Sequence, residues 1–298
     1  MTAARFCLQQ EASFKLLELT GIGYPQPEEQ RPVERPSWVP RVDLLHVSKT
    51  KALVLRSEKY QTATHLSHNV STDTTYAGLL EIEGSIIDSV GAGSDIWHPW
   101  KVVTGNPGFS NLSEELTVIS KLLNLAEWRC AEVNRFDAEQ GYTLKRQNPI
   151  WRTLFQDSRE MFNVETTYFE KSFNKMDEAI RAIRPLIAPE YERDEIDMLT
   201  LGHEFMSLMT VIYPILGRRI CNTQRGCIGI IPPNSQTRDR ICVFSGAPTP
   251  FLLRPSVDLC PDGSQRTAYE LVGACYINGI MQGELKDVEL DREMICLV

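Results

Sequence analysis

The spacing of hydrophobic residues changes along the chain. In the segments KALVLRS (51–57) and GLLEIEGSIIDSVGAG (78–93), short apolar runs alternate with polar residues, which is typical of β-strands. Apolar side chains then recur every three or four positions over residues 112–126, the period of an amphipathic helix. Asn111 and Glu114 have the spacing of a helix capping box. This part of the chain therefore predicts strands followed by a helix.

Two more helices and a second group of strands follow. Helical spacing is found over residues 164–187 and 190–217, and Pro185 ends the first of these predicted helices. From Gly226 the runs CIGIIP, RICVFSG, FLLRP and AYELVGACYING again have the texture of strands. We therefore predict an α+β fold, in which N-terminal and C-terminal strands form a small barrel-like or meander core with a helical insertion between them. The predicted core comprises residues 51–110 and 221–298, and the predicted insertion comprises residues 111–220.

A helix and a connector precede the predicted core. Residues 4–20 have apolar positions at helical spacing, and GIGYP ends this pattern, so a terminal helix is predicted within residues 1–22. The next segment, residues 23–50, is rich in proline and charged residues. That composition predicts an extended connector.

Composition and charge narrow the possible functions. The chain has 298 residues, of which 42% are hydrophobic, and its formal net charge is -8. An acidic chain without a long basic run is unsuited to nucleic-acid phosphates, so we expect no nucleic-acid partner. The longest apolar stretch, FMSLMTVIYPILG, is too short to span a bilayer, and the first residues lack a secretory signal. We therefore expect a soluble, cytoplasmic protein without a membrane span.

The chemical motifs of the sequence are incomplete. Its eight cysteines form no CxxC pair, so we predict reduced thiols and no zinc site. VGAGSDI (90–96) lacks the third glycine of a dinucleotide-binding loop and predicts a turn, and GHEFM (202–206) lacks the second histidine of a zincin helix. His65 and His68 have no further metal ligand close by in sequence. We expect no metal, no cofactor and no catalytic constellation.

The segment from Gly226 to Pro255 predicts a compact β meander. Its first glycines are spaced GxxG with no following lysine or helix, which excludes a phosphate-binding loop. PPNSQTRD and SGAPTP have the composition of turns, and FLLRP predicts a short strand that ends at Pro255. Its glycines and prolines therefore serve backbone geometry.

The segment NPIWRTLFQD (148–157) has two interpretations. Trp151 anchors an apolar face, while Arg152 and Asp157 carry opposite charges. One interpretation is a packed turn of helix held by Trp151. The other is a contact with a ligand or partner through Arg152, whose planar fork suits a carboxylate or phosphate.

Three C-terminal segments resemble fungal heterokaryon-incompatibility (HET) proteins. The family pattern GRR…T..G..G..PP is similar to GRRICNTQRGCIGIIPP (217–233), and D.VCV..G…PF.LR is similar to DRICVFSGAPTPFLLR (239–254). A third pattern, Y.LVG..Y..GIM.GE, is similar to YELVGACYINGIMQGE (269–284). WRTLFQD and RPSWVPRVDL resemble the mid-chain and connector motifs of the family. Residues 4–21 resemble the last helix of the HET domain, which precedes that connector.

The resemblance implies a role in fungal self/non-self recognition and programmed cell death. In that family a HET domain, which resembles TIR modules, precedes the region matched here, and no motif of that domain stands in this chain. We therefore expect a non-catalytic interaction or regulatory module with a HET-type protein partner. The alternative is an accessory enzyme or small-molecule-binding protein of a fungal secondary-metabolite pathway. The candidate binding residues, from the mid-chain motif and from the resemblance, are Trp151, Arg152, Asp157, Arg254, Tyr276 and Glu284.

Overall fold

The computed structural model divides the chain into two compact units. One comprises residues 1–96 and 218–298, and the other comprises residues 97–217. The second unit is described only at Thr153 and Gln156, where the Gln156 N–H donates to the Thr153 carbonyl over 3.0 Å. The residues that the structure describes are 14–18, 20, 36–39, 60–71, 78–93, 153, 156, 218–259 and 266–298.

The described part of the first unit is built mainly from strands. Its elements are α1 (Phe14–Glu18), β1 (Leu80–Gly93), β2 (Arg219–Thr223), β3 (Ile228–Ile231), β4 (Arg240–Phe244), β5 (Phe251–Leu259), β6 (Thr267–Ala274), β7 (Tyr276–Ile277) and β8 (Glu293–Leu297). Five of the strands close into a barrel in the order β1, β4, β5, β6 and β8, because β1 pairs with both β4 and β8. The β6–β8 pair is parallel, and the other barrel pairs are antiparallel.

Strand β1 closes the barrel and follows the two-residue period of a half-buried strand. Leu80, Ile82 and Gly84 are buried, while Glu81 and Glu83 between them are partly exposed. The first part of β1 pairs with β8, with Leu80 opposite Leu297, and the next part pairs with β4, with Gly84 opposite Phe244. The alternation therefore places the apolar side of β1 in the barrel core.

The same strand also joins a second group of strands. After the pairing with β4, the register of β1 becomes irregular, and Val90 and Gly93 pair with Thr223 and Cys221 of β2. Strand β3 then pairs with β2 on one side and with the two-residue β7 on the other. All four residues of β3 are buried, so this group packs as part of the interior.

The N-terminal segments pack against the barrel. The Phe244 and Phe251 rings lie with their centroids 5.2 Å apart, and Phe14 of α1 lies 6.4 Å and 6.3 Å from them. Trp38 is fully buried, and its Nε1–H donates to the Gly78 carbonyl over 3.0 Å. A helix of five residues is not stable in water by itself, so packing against the barrel is what holds α1.

The predicted α+β fold class is wrong. The described structure is almost entirely β, with a closed five-stranded barrel, and the helix found among the described residues has five residues. The prediction added a helical insertion to a core of strands because of the helical spacing in residues 111–220, whereas strand pairing alone builds the described core. The helical insertion predicted for 111–220 lies outside the described residues, except for Thr153, Gln156 and 218–220.

Two local predictions also need correction. Gly91 and Gly93 were expected in a turn but lie at the end of β1, and β5 does not end at Pro255 but continues to Leu259. Pro255 is opposite Tyr269 of β6 next to a register irregularity, a position where strands tolerate proline. The helices predicted for 164–187 and 190–217 lie outside the described residues. The boundaries proposed for the domains stay predictions.

Candidate functional site

The loop between β3 and β4, residues 232–239, has a strained but well-bonded backbone. Arg238 has a φ of 74°, a left-handed conformation that is costly for a residue with a side chain. The contacts around it compensate: the Arg238 N–H donates to the Val90 carbonyl, and the Val90 N–H donates to the Asp239 carbonyl, each over 2.8 Å. The Asp239 carboxylate accepts from the Gln236 N–H over 2.7 Å. These bonds fix the loop against β1.

Arg254, a predicted site residue in β5, holds the same loop from the other side. Its Nε and Nη2 donate to the two carboxylate oxygens of Asp239, each over 3.0 Å, and its Nη2 also donates to the Asn234 carbonyl over 2.8 Å. The Asp239 side chain is 3% exposed and that of Arg254 is 18% exposed. A bidentate pair with this geometry is a strong, directional interaction. Arg254 therefore has a structural role in positioning the loop.

The contacts described for the other two candidate residues, Tyr276 and Glu284, are with parts of the chain other than the loop that Arg254 holds. Tyr276, in β7, is fully buried, and its ring centroid lies 5.8 Å from that of Tyr60. Glu284 is exposed in the turn after β7, where its carboxylate accepts from the Gln282 N–H over 2.6 Å. These contacts and those of Arg254 involve different neighbours. Trp151, Arg152 and Asp157 lie outside the described residues, so the predicted binding site stays a prediction.

A buried arginine is the feature that sequence reasoning missed. Arg218, just before β2, is 5% exposed, and its Nη1 donates to the Ala274 carbonyl over 3.0 Å. Desolvation lowers the pKa of Arg218 to about 10, and the neighbouring Cys275, Tyr60 and Glu18 act in the opposite direction. Arg218 is thus still a cation at neutral pH and needs a nearby anion.

Glu18 is one of the groups that act on this guanidinium. It is 2% exposed on the buried face of α1, and it acts to raise the pKa of Arg218 against the larger effect of desolvation. The sequence held one signal: Glu18 follows Phe14 and Leu17 at helical spacing, which places a carboxylate on the apolar face of the helix.

The cysteines described in the first unit are mostly unreactive. Burial raises the pKa of Cys242 and of Cys275 well above the ordinary thiol value, so neither forms a thiolate at neutral pH. Cys227 is partly exposed. Cys296 is disulfide-bonded, and its partner lies outside the described residues because the other four described cysteines are free. The expectation that all eight thiols are reduced is therefore wrong for Cys296.

The described residues hold no group of three His, Cys, Asp or Glu side chains arranged to bind a metal ion. Among the same residues, no helix has the length and apolar character needed to cross a bilayer. The arginines characterised above bind carbonyl and carboxylate groups of this chain itself, which is chemistry of structural support.

Comparison with known proteins identifies the family. Residues 110–298 match the family described as "Het-6 beta-barrel domain". The chain belongs to this family. The resemblance to heterokaryon-incompatibility proteins that the C-terminal segments predicted is thereby confirmed. Strand β1 ends at Gly93, before the matched residues begin, so the barrel of this Het-6 family member also uses an upstream strand.

A curated relative supports the same family. The chain is 22% identical over 315 residues to "Heterokaryon incompatibility protein 6, OR allele" from Neurospora crassa, an alignment that covers 98% of this chain and 44% of the relative. The Het-6 family member described here therefore spans less than half the length of that protein. No solved structure matches the present chain significantly.

Proposed function

We propose that this chain is a non-catalytic interaction and regulatory module of fungal heterokaryon incompatibility, whose partner is a HET-type protein. The observation that carries the proposal is the match of residues 110–298 to the Het-6 barrel family. The similarity to a protein whose name states heterokaryon incompatibility supports it. The family match and the chemistry of the described residues support the proposal more than the fold does, because a small β-barrel by itself is compatible with many activities.

The chemistry of the described residues supports a binding role more than a catalytic one. Arg254 and Asp239 neutralise each other, and desolvation keeps the buried thiols of Cys242 and Cys275 protonated. General acid–base or nucleophilic catalysis needs a titratable group that is accessible and has a suitable pKa. These four side chains do not meet that requirement, and their contacts instead stabilise the barrel and its loop.

The test is a binding experiment with purified proteins. The intact chain is immobilised and exposed to purified full-length heterokaryon-incompatibility proteins, with the variant Gly84→Leu as a matched control. A leucine at position 84 would collide with β4, because even a Cβ at this position would lie only 2.9 Å from the Val243 carbonyl oxygen. The control therefore presents a disrupted barrel. We expect saturable binding of at least one protein to the intact chain and a loss of binding to the control. Absence of binding to every protein across a range of salt concentrations would contradict the proposal.

The proposal includes a cytoplasmic location, which a fluorescent fusion of the full chain in a fungal cell tests. We expect the fusion to fluoresce throughout the cytoplasm. A fusion found only in the secretory route would contradict this part of the proposal.

A further inference from the structure

Three exposed arginines lie beside the same short stretch of β1. We call them the arginine patch: Arg225, Arg238 and Arg240. The Arg225 N–H donates to the Asp88 carboxylate over 3.3 Å, and the Arg238 N–H donates to the Val90 carbonyl over 2.8 Å. Arg240, the first residue of β4, is opposite Ser89. Segments that are distant in sequence are thus brought together at residues 88–90.

The arginine patch extends across both edges of β1. The Gln224 N–H, next to Arg225, donates to the Ser89 carbonyl over 2.9 Å, whereas the Val90 carbonyl accepts from Arg238. Carbonyls of successive residues in a strand point to opposite edges, so Arg225 lies on one side of β1 and the other two arginines lie on the other side. Two strand spacings correspond to roughly 10 Å between the backbones. The patch therefore has the width of a site for a single extended chain.

The charges of the arginine patch are not used within the described fold. Of the eight arginines among the described residues, five donate to a carbonyl or carboxylate of this chain: Arg218, Arg219, Arg254, Arg266 and Arg292. In the part of the chain that the structure describes, the side chains of the patch form no hydrogen bond and no ion pair. The acid beside them is Asp88, whose carboxylate accepts from the N–H groups of Ser89 and Arg225. Three positive charges thus face one negative charge.

Arg238 stands at a position where the backbone favours glycine. Its φ of 74° is left-handed, a conformation that glycine adopts without the steric cost of a side chain. The bond from its N–H to Val90 is one that any residue except proline would make, and its side chain is exposed. The described contacts of the fold therefore give no reason for an arginine at this strained position.

The chemistry of the arginine patch fits carboxylates carried on a short peptide. A guanidinium binds a carboxylate through two parallel hydrogen bonds. An extended peptide advances about 6.7 Å every two residues, and Arg238 and Arg240 are themselves two positions apart, so acids at alternate positions match them. A nucleic acid carries charge along its whole length, and beyond three arginines it would meet a chain of net charge -8. An acidic peptide can instead be confined to the patch.

We propose that the arginine patch is a docking site for an extended acidic segment of a partner protein, with carboxylates at alternate positions. The proposal deepens the interaction role above and rests on it for its biological meaning. Its physical test is separate, because it uses a synthetic peptide and no HET-type protein.

The test is a fluorescence anisotropy titration with a rhodamine-labelled peptide, Thr-Glu-Thr-Glu-Thr-Glu-Thr. It is done at about 0.01 M salt, where the Debye length is about 30 Å. We expect saturable binding to the natural chain and at least about tenfold weaker binding to the variant Arg225→Gln, Arg238→Gln, Arg240→Gln. A peptide with glutamine in place of glutamate should not bind. Absence of binding of the acidic peptide to the natural chain would overturn the proposal.

A charge-matched variant separates the arginine patch from the net charge of the protein. The variant Arg266→Gln, Lys286→Gln, Arg292→Gln removes the same number of positive charges, all from exposed side chains outside the patch. We expect its affinity for the peptide to stay within about twofold of the natural chain, because short-range carboxylate pairing is local. An equal loss of affinity in both variants would overturn the proposal. Tighter binding of single-stranded DNA than of the peptide to the natural chain would overturn the choice of occupant.

The variant Arg238→Gly separates binding from folding. We expect its melting temperature to be no lower than that of the natural chain, because glycine relieves the left-handed strain, and its affinity for the peptide to fall at least about threefold. A lower melting temperature, or unchanged affinity, would assign the Arg238 side chain to the fold and contradict the proposal.

The outcomes for the two proposals are distinguishable. Peptide binding to the arginine patch without binding of any HET-type protein would contradict the proposed function alone. A HET-type protein that binds the natural chain and the patch variant equally would contradict the docking proposal alone.

Discussion

Asp239 keeps a negative charge where only 3% of its side chain is exposed. It can do so because Arg254 supplies two hydrogen bonds and the Gln236 N–H a third. We predict that Asp239→Asn lowers the free energy of unfolding by about 2 kcal/mol, because it leaves the partly buried Arg254 without its counter-ion. Urea denaturation measures this change.

A matched control for this substitution is Glu81→Gln. Glu81 pairs with Arg266 over 2.6 Å, but the two side chains are 18% and 41% exposed. Solvent screens such a pair, so the expected loss is below about 1 kcal/mol. If the two variants lost equal stability, burial would not be what makes the Asp239–Arg254 pair important.

Two buried thiols predict a stability loss in alkaline solution. Burial raises the pKa of Cys242 and of Cys275 above the ordinary value of 9.0 in the folded protein. A group whose pKa is higher in the folded state stabilises the fold fully below its unfolded pKa, and the contribution disappears as the pH rises above it. At pH 10 the loss is on the order of 1 kcal/mol for each thiol.

The measurement is urea denaturation at pH 8 and pH 10, compared between the natural chain and Cys242→Ala. Between pH 8 and pH 10, the free energy of unfolding should fall less in the variant than in the natural chain. The difference should equal the contribution of the one thiol that was removed. Tyr269, whose burial raises its pKa above 10.0, adds a loss of the same sign only at higher pH. Arg218, with its lowered pKa of about 10, has the opposite sign and begins to contribute near the upper end. An identical pH dependence for both chains would contradict the prediction.

The site residues were only partly accessible to sequence reasoning. Arg254 was identified by its match to a family segment, but its partners Asp239 and Asn234 lie 15 and 20 positions away in the sequence, and no local pattern pairs them. Arg218 belongs to the family pattern GRR but was not named as a site residue, because an arginine beside an apolar run is usually solvent-exposed. The acceptor of its Nη1–H, the Ala274 carbonyl, is 56 positions away in the sequence.

At the scale of the element, β1 and β4 approach each other closely where the barrel closes. A Cβ at Gly84 would lie 2.9 Å from both the Phe244 Cδ1 atom and the Val243 carbonyl oxygen. We predict that Gly84→Ala destabilises the protein by about 1–3 kcal/mol, because backbone and a packed ring must shift to admit the methyl group. Thermal unfolding followed by circular dichroism measures the loss.

Gly78→Ala is the control for this substitution. Gly78 lies two residues before β1, and a Cβ there would be 3.8 Å from the Pro36 Cγ atom, an ordinary contact. Its expected effect is below about 0.5 kcal/mol, as for most substitutions away from packed sites. A Gly84→Ala protein as stable as Gly78→Ala would show that β1 and β4 can move apart freely.

Strands were easier to predict than the way in which they are joined. The apolar runs CIGIIP, RICVFSG and AYELVGACYING coincide with β3, β4 and β6, because period and composition are local properties. The turn expected at VGAG is instead the end of β1, since β2 continues the pairing past Val90. The conformation of this segment is set by pairing with β2, which is distant in sequence, and a local hydrophobic pattern cannot reveal such a partner.

At the scale of the whole molecule, β8 completes the barrel by pairing with β1 and β6. Ile295, Cys296 and Leu297 are buried in it. We predict that deleting residues 293–298 prevents the barrel from closing, because it leaves two strand edges and an apolar core uncovered. Gel filtration and circular dichroism of the truncated chain should find aggregated or unfolded protein.

Val288→Ser is the control for the truncation. Val288 is 51% exposed in the turn before β8, so its replacement should change the unfolding free energy by less than about 0.5 kcal/mol. A truncated chain that stays monomeric and melts as sharply as the Val288→Ser protein would contradict the assigned closure by β8.

The predicted fold class was wrong because it gave helices a share of the architecture, whereas the described structure is almost entirely β. The sequence predicts strands near β1 and near the C terminus, but nothing in 80–93 states that Leu80 lies opposite Leu297. Closure depends on one strand pairing on both of its edges, and this is a property of the assembled structure. The family could be recognised from the sequence alone, because its motifs are contiguous segments and recognising them does not require knowing which strands pair.

The shared strand β1 also has a consequence for how the protein is made. Roughly two hundred residues separate Gly93 from Leu297, so at about 5–20 residues per second of synthesis β1 waits roughly 10–40 s for its partner β8. During that interval its apolar side chains, such as Leu80 and Ile82, have no barrel to enter. We therefore expect slower synthesis of the intervening segment to lower the yield of native protein, because it lengthens the time for which this strand is exposed.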